Sequence, residues 1–196
     1  VSIPGLGWTI TSWPTWMGEL ESPVWNEETH SYEEFSTNKM SVLEQLGVLV
    51  SVSLLNQLAS GRTLEVFIDN SGAVYAFKKG YSRRCRYMNT VIMATLTVSK
   101  ALGINVVVTD VPRRSDHGSE VADDLSKGII NTVWGFQGSN SRRLVAPDTI
   151  LEWIKHPTKD DNELGLRILD ELKHKGCEGI VLPYWPKFAA PTDMEH

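Results

Sequence analysis

Cysteine is nearly absent, with only Cys85 and Cys177 in 196 residues. They lie far apart, with no CxxC or Cys/His spacing around either, which argues against a zinc site and against a disulfide framework. A reducing compartment suits such a chain, and the expectation is an intracellular protein, cytoplasmic or nuclear and not secreted. No apolar run approaches the roughly 18 residues that read as a bilayer span, so no membrane partner is expected. The opening VSIPGLGW lacks the basic region and following apolar stretch of a cleaved signal. An excess of positive charge is missing too, since the net charge is -5 and the pI about 5.5. Coating nucleic acid by overall charge is thereby disfavoured, whereas a local basic strip is not.

What is present is ordinary soluble composition, 41% hydrophobic and 22% charged, enough for one core plus an extension. Residues 5–26 carry short β-rich runs broken by Pro14 and Gly18, which predict an antiparallel meander. Asn26 to Asn38 is polar and reads as a loop. From Lys39 to Ala59 apolar residues cover most of a helical surface before Ser60-Gly61 stops it, so a helix buried against a sheet is expected. Leu64, Val66, Phe67 and Ile68 read as a short buried strand, and Ala73, Val74, Ala76 and Phe77 fall at helical spacing within 72–79. A second helix over 87–102 and the β-branched run INVVVTDV at 104–111 complete a right-handed crossover unit. That run has the pattern of a parallel strand covered on both faces. A polar loop and a short helix from Ser119 to Lys127 follow. Beyond residue 129, DTILEWIKHP and DNELGLRILDELKHKG read as amphipathic helices with Asp148 and Asp161 as N-caps and Gly176 as a stop, followed by a short extended EGIVLPYW. Their apolar faces either pack on the same domain or dock on another surface.

Three acids on different elements stand out. Asp69 sits where a strand ends and a helix is about to start, the edge of an α/β sheet where binding groups gather, although Asp-Asn-Ser-Gly is also good turn chemistry by itself. Glu44 lies inside the apolar helix, where a carboxylate is costly unless paired, protonated or metal-bound, although a late helix start would make Ser41-x-x-Glu44 a capping box. Asp123, with Asp124, lies in the short downstream helix, where opposing the helix dipole is the simpler role. Carboxylates gathered at one sheet edge are tolerable only with a divalent cation or a raised pKa, and oxygen-only ligands select Mg²⁺ or Mn²⁺. A basic strip, Lys78, Lys79, Arg83, Arg84 and Arg86, crowds into residues 78–86 with Tyr81 inside it and Tyr87 beside it. It is either a phosphate grip or a solvated helix end.

The order of elements and three segments carry a resemblance. SVLEQLGVLVSV around Glu44, FIDNSGAVYAFKKG around Asp69 and VPRRSDHGSEVADDLSKG around Asp123 resemble the ribonuclease H domains of retroelement reverse transcriptases, of the tyrosine-recombinase-bearing kind. The resemblance covers about residues 1–128 and implies an α/β ribonuclease H-like fold. That is a mixed five-stranded sheet, three antiparallel strands then parallel ones, with helices on both faces; a mainly helical extension fills 129–196. It implies a Mg²⁺-dependent endonuclease that hydrolyses the RNA strand of RNA/DNA hybrids with four carboxylates and two metal ions, as part of a reverse transcriptase whose polymerase domain is a possible partner. By position Glu44, Asp69 and Asp123 match three of the four carboxylates and would hold the metals. His117 would assist proton transfer or product departure, Asn70 and Ser71 would contact the minor-groove face of the hybrid, and Lys78, Lys79, Arg83, Arg84 and Arg86 would grip phosphates. The family's first acid belongs to an opening D-A-S-x-x-G-x-G motif, and here it would fall immediately before Val1. The alternative expectation is therefore a catalytically inactive binding or scaffolding module of this fold. Another metal nuclease or an integrase of the superfamily is a weaker one.

Overall fold

The computed structural model of the chain describes residues 2–3, 7–8, 25–32, 34–111 and 146–174. Two short antiparallel pairs lie at the N-terminal end, β1 (Ser2–Ile3) with β2 (Gly7–Trp8) and β3 (Trp25–Asn26) with β4 (Ser31–Tyr32). The rest of the expected meander lies outside the described residues. So do the 119–127 helix, the 128/129 domain boundary, Gly176 and the EGIVLPYW segment.

Helix α1 (Glu34–Leu54) is the long central element. It starts five residues before the apolar pattern does, because Phe35 is buried and meets Tyr87 edge-on at 5.1 Å between ring centroids. Its side chains are buried around most of the circumference, Val42, Leu46, Val48, Leu49 and Val52 among them. Ser51 and Ser53 are buried without cost, since each hydroxyl donates to the carbonyl four residues back, Gly47 and Leu49, at 2.8 Å. A short α2 (Asn56–Ala59) closes the segment.

Strand β5 (Thr63–Ile68) pairs in parallel with β6 (Asn105–Asp110), in register from Thr63 opposite Asn105 to Ile68 opposite Asp110. Parallel pairing demands a crossover, supplied here by α3 (Ser71–Lys79) and α4 (Arg86–Ala101). The fold is thus α/β, with one interpretable parallel pair. Leu64, Val66, Ile68, Val106 and Val108 turn toward the helical core. Phe67 and Val107 on the opposite face stay 56% and 39% exposed. Among the described residues β5 and β6 are covered on one face, because alternate residues face opposite sides and only one side joins the core.

The C-terminal helices α5 (Asp148–Lys155) and α6 (Leu164–His174) add Ile150, Trp153, Ile154, Leu164 and Ile168 to the same core. Helix α6 lies against α4 so closely that a Cβ on Gly165 would stand 2.8 Å from Thr97 Cβ and 3.0 Å from the Ala94 carbonyl oxygen. Asp148 is not the cap expected of it. It is the first residue of α5, and the cap is remote: the Glu171 carboxylate of α6 accepts from the Asp148 and Thr149 N–H groups at 2.7 and 2.9 Å. Among the described residues no helix is long and apolar enough to cross a membrane.

Candidate functional site at the ends of the parallel strands

Ile68 is the last residue of β5, so Asp69 stands exposed at the carboxyl end of a parallel strand. The turn that follows is built by Asn70. Its extended backbone (φ -115, ψ 93) and its Oδ1, which accepts the Ala73 N–H at 3.0 Å, make it the N-cap of α3. Its amide also reaches α1, with Nδ2 donating to Ser41 Oγ at 3.2 Å. One turn further along α1, buried Gln45 donates from Nε2 to the Ala73 carbonyl at 2.7 Å. Gln45 Oε1 is equally buried and has no partner among the described residues. A half-satisfied buried amide is costly, which marks this contact as one where position outweighs stability.

The two bridges leave α1 at positions 41 and 45 and flank Glu44, which is half-buried. The turn of α1 that bears Glu44 is thereby fastened to the turn that follows Asp69. A capping box is excluded for Ser41 and Glu44, because both lie inside a helix that begins at Glu34.

A further acid belongs to this edge. Asp110 ends β6 directly opposite Ile68, so the ladder brings it beside the strand end that carries Asp69, and the Val111 N–H extends the pairing by donating to the Ile68 carbonyl at 3.0 Å. Its signal was present: INVVVTD closes an apolar run with an acid just as LEVFID does. Asp123 and His117 lie outside the described residues. Among the described residues no three His, Cys, Asp or Glu side chains converge to hold a metal. The donors that do stand at this edge, carboxylate oxygens, are of the class that suits Mg²⁺.

Ser71 opens α3 and is exposed, whereas the Asn70 amide is taken up by the cap and by Ser41. Lys78 and Lys79 end α3, where cations oppose the dipole, and Gly80 completes the stop in the left-handed region (φ 78) that glycine adopts without strain. Arg83 and Arg84 are exposed on the next turn, held by Ser82, whose Oγ accepts the Arg84 and Cys85 N–H groups at 3.2 Å. The structure separates Arg86 from the others. Its guanidinium pairs with Asp160, and its backbone N–H is taken by the Glu34 carboxylate. Tyr87 is likewise committed, to Phe35 and to the Lys159 ammonium 5.2 Å from its ring centre. Among the described residues Lys78, Lys79, Arg83 and Arg84 form no ion pair.

Cys85 caps α4, accepting the Met88 N–H at 3.4 Å, and burial pushes its thiol up from the ordinary value. It is a structural cysteine, not a nucleophile. No protein-family model, no curated protein and no solved structure matches this chain.

Proposed function

We propose that this chain is a ribonuclease H-like domain of a retroelement reverse transcriptase, a metal-dependent endonuclease for the RNA strand of RNA/DNA hybrids. The observation that carries the reading is the fastening of the Glu44 turn to the Asp69 turn through Ser41–Asn70 and Gln45–Ala73. Two acids 25 positions apart in the chain come from rigid neighbouring elements at a parallel sheet's carboxyl edge, where α/β proteins place their ligands. The reading carries a five-stranded sheet in which β5 and β6 are the parallel pair.

Asp69 and Glu44 would hold Mg²⁺, with Asp123 supplying a further carboxylate and Asp110 adding negative potential at the same edge. When bound, the metal supplies Lewis-acid polarisation of the phosphodiester and an activated water. The residues of the chain do the positioning. Asn70, Ser41 and Gln45 fix the carboxylates' elements, and the exposed Ser71 hydroxyl stands next to the site. Helix α3 has nine residues and is therefore about 13 Å long, the rise of about four nucleotides of one strand. It leads from Asp69 at its start to Lys78 and Lys79 at its end, so a strand cleaved at one end would have its phosphates gripped at the other.

The test is hydrolysis of a hybrid labelled separately on each strand, in Mg²⁺ or Mn²⁺. The expected result is RNA-strand cleavage that Asp69→Asn and Glu44→Gln abolish while both variants fold and still bind hybrid. Cleavage that survives Asp69→Asn refutes the site. Binding without cleavage by the parent, with folding intact, makes the chain an inactive module of the same fold.

A further inference from the structure

Tyr75 and Tyr81 are exposed to 62% and 42%, unusual for aromatic rings that could have packed inward. Tyr75 lies on the outward face of α3, among the exposed Ser71, Lys78 and Lys79, while Ala73, Val74, Ala76 and Phe77 face the core. Tyr81 follows the Gly80 stop, which bends the chain back beside the helix, with the Tyr81 N–H donating to the Ala76 carbonyl at 3.1 Å. One ammonium organises both rings: Lys79 Nζ stands 4.7 Å from the Tyr75 centroid and 5.9 Å from that of Tyr81. The ring centres are therefore no more than about 11 Å apart, about three base steps of 3.4 Å. The positive charge of Arg83 beside the Tyr81 phenol draws its pKa below the ordinary value. Lys78 and Arg84, both exposed, add two more cations along the same stretch, and none of the four pairs with a carboxylate among the described residues.

We propose that Tyr75 and Tyr81, joined by Lys79 and flanked by Lys78, Arg83 and Arg84, form a stacking platform for a single-stranded nucleic acid. A duplex or hybrid hides the faces of its bases and offers phosphates and groove edges, for which cations alone suffice. Exposed rings gain from unpaired bases, whose faces are free, and cations beside them track the backbone; that pairing of features is how single strands are held without sequence readout. An acidic peptide would complement the charge and leave the two rings unexplained. The platform stands independently of the nuclease reading, since it uses neither Asp69 nor Glu44 nor a metal. With that reading added, it would hold the unpaired continuation of a strand about one α3 length from the carboxylates.

The experiment is fluorescence anisotropy with a labelled oligothymidylate of about twelve nucleotides, at low salt and with EDTA to remove metal and silence any cleavage. The parent is expected to bind. Tyr75→Leu and Tyr81→Leu are each expected to raise Kd about 5- to 150-fold, the loss of one base stack, while Tyr75→Phe and Tyr81→Phe bind like the parent. Both positions are exposed, so folding is unaffected, and unchanged circular dichroism melts check it. A parent that does not bind the oligonucleotide overturns the platform. So do leucine variants that bind as tightly as the phenylalanine ones, because the strip would then act by charge alone. Neither result bears on hybrid cleavage in Mg²⁺, so the two readings fail separately.

Discussion

Replacing Asn70 tests the joint that brings the two acid-bearing elements together. In Asn70→Ala the cap of α3 is lost with the bond to Ala73 N–H, and so is the bridge to Ser41. A lost Asn cap costs about 1 kcal/mol and a part-buried side-chain hydrogen bond about 1 kcal/mol more. At about 2–4 °C per kcal/mol for a chain of this size, the variant is expected to melt about 4–8 °C below the parent. Asn70→Ser separates the two losses, since serine caps as well as asparagine but is too short to reach α1; it is expected to lose about half as much. Ser41→Ala removes the bridge from the other side and leaves the cap. The Ser41/Asn70 double-mutant cycle, read from circular dichroism melts, is expected to show a coupling of about 1 kcal/mol, as contacting partners do. Additive single effects would refute the bridge, and a parent-like Asn70→Ala melt would refute both bonds. If the bridge also aligns the carboxylates, Ser41→Ala lowers hybrid cleavage with little loss of hybrid binding.

The remaining expectations concern the strip and the C-terminal helices. Alanine at Lys78, Arg83 and Arg84 is expected to lower the slope of log affinity against log salt for hybrid binding by about 0.7–0.9 per lost contact, whereas Arg86→Ala leaves the slope unchanged because Asp160 already neutralises it. Equal slopes for Arg83→Ala and the parent would make the strip a solvated helix end. The Arg167 guanidinium, 2.6 Å from Asp161 Oδ2, holds the Asp161 carboxyl below its ordinary value. A lowered carboxyl stabilises the fold fully above the unfolded pKa of about 3.9 and loses that contribution as pH falls through the native value. The gap in Tm between parent and Asp161→Asn is therefore expected to be constant near neutral pH and to close only below about pH 4; a gap independent of pH would refute the pairing. Gly165→Ala places a methyl against the Ala94 backbone and Thr97, and the overpacking, about 1–3 kcal/mol, outweighs the about 0.5–1 kcal/mol that alanine gains in a helix. A melt at or above the parent's would show that α6 shifts freely on α4.

Elements whose signals lie within one stretch of chain were legible from residue types alone. Apolar Leu64–Ile68 is a strand and Asp69-Asn70-Ser71-Gly72 a strand-to-helix turn, whereas Asn70 as the cap of α3 and Gly80 as its stop come from the structure. Helix α4 and β6 also fall within a residue of their expected bounds, since periodicity and local capping are properties of neighbours along the chain. What the sequence by itself could not determine is set by residues distant in it. The start of α1 at Glu34 depends on Phe35 against Tyr87 and on the Glu34 carboxylate against the Arg86 backbone, 52 positions away. The polar Glu34–Asn38 segment, read locally, is a loop. The cap of α5 comes from Glu171, 23 positions downstream, so no local rule finds it. Arg86 looked like its four cationic neighbours until Asp160, 74 positions away, reached it. Asp110 carried the same local signal as Asp69, but only the parallel register puts the two strand ends side by side. Tertiary structure decided these because a charge, a cap or a ring is satisfied by whatever packing brings within a few ångströms, and packing is governed by which apolar faces must share one core.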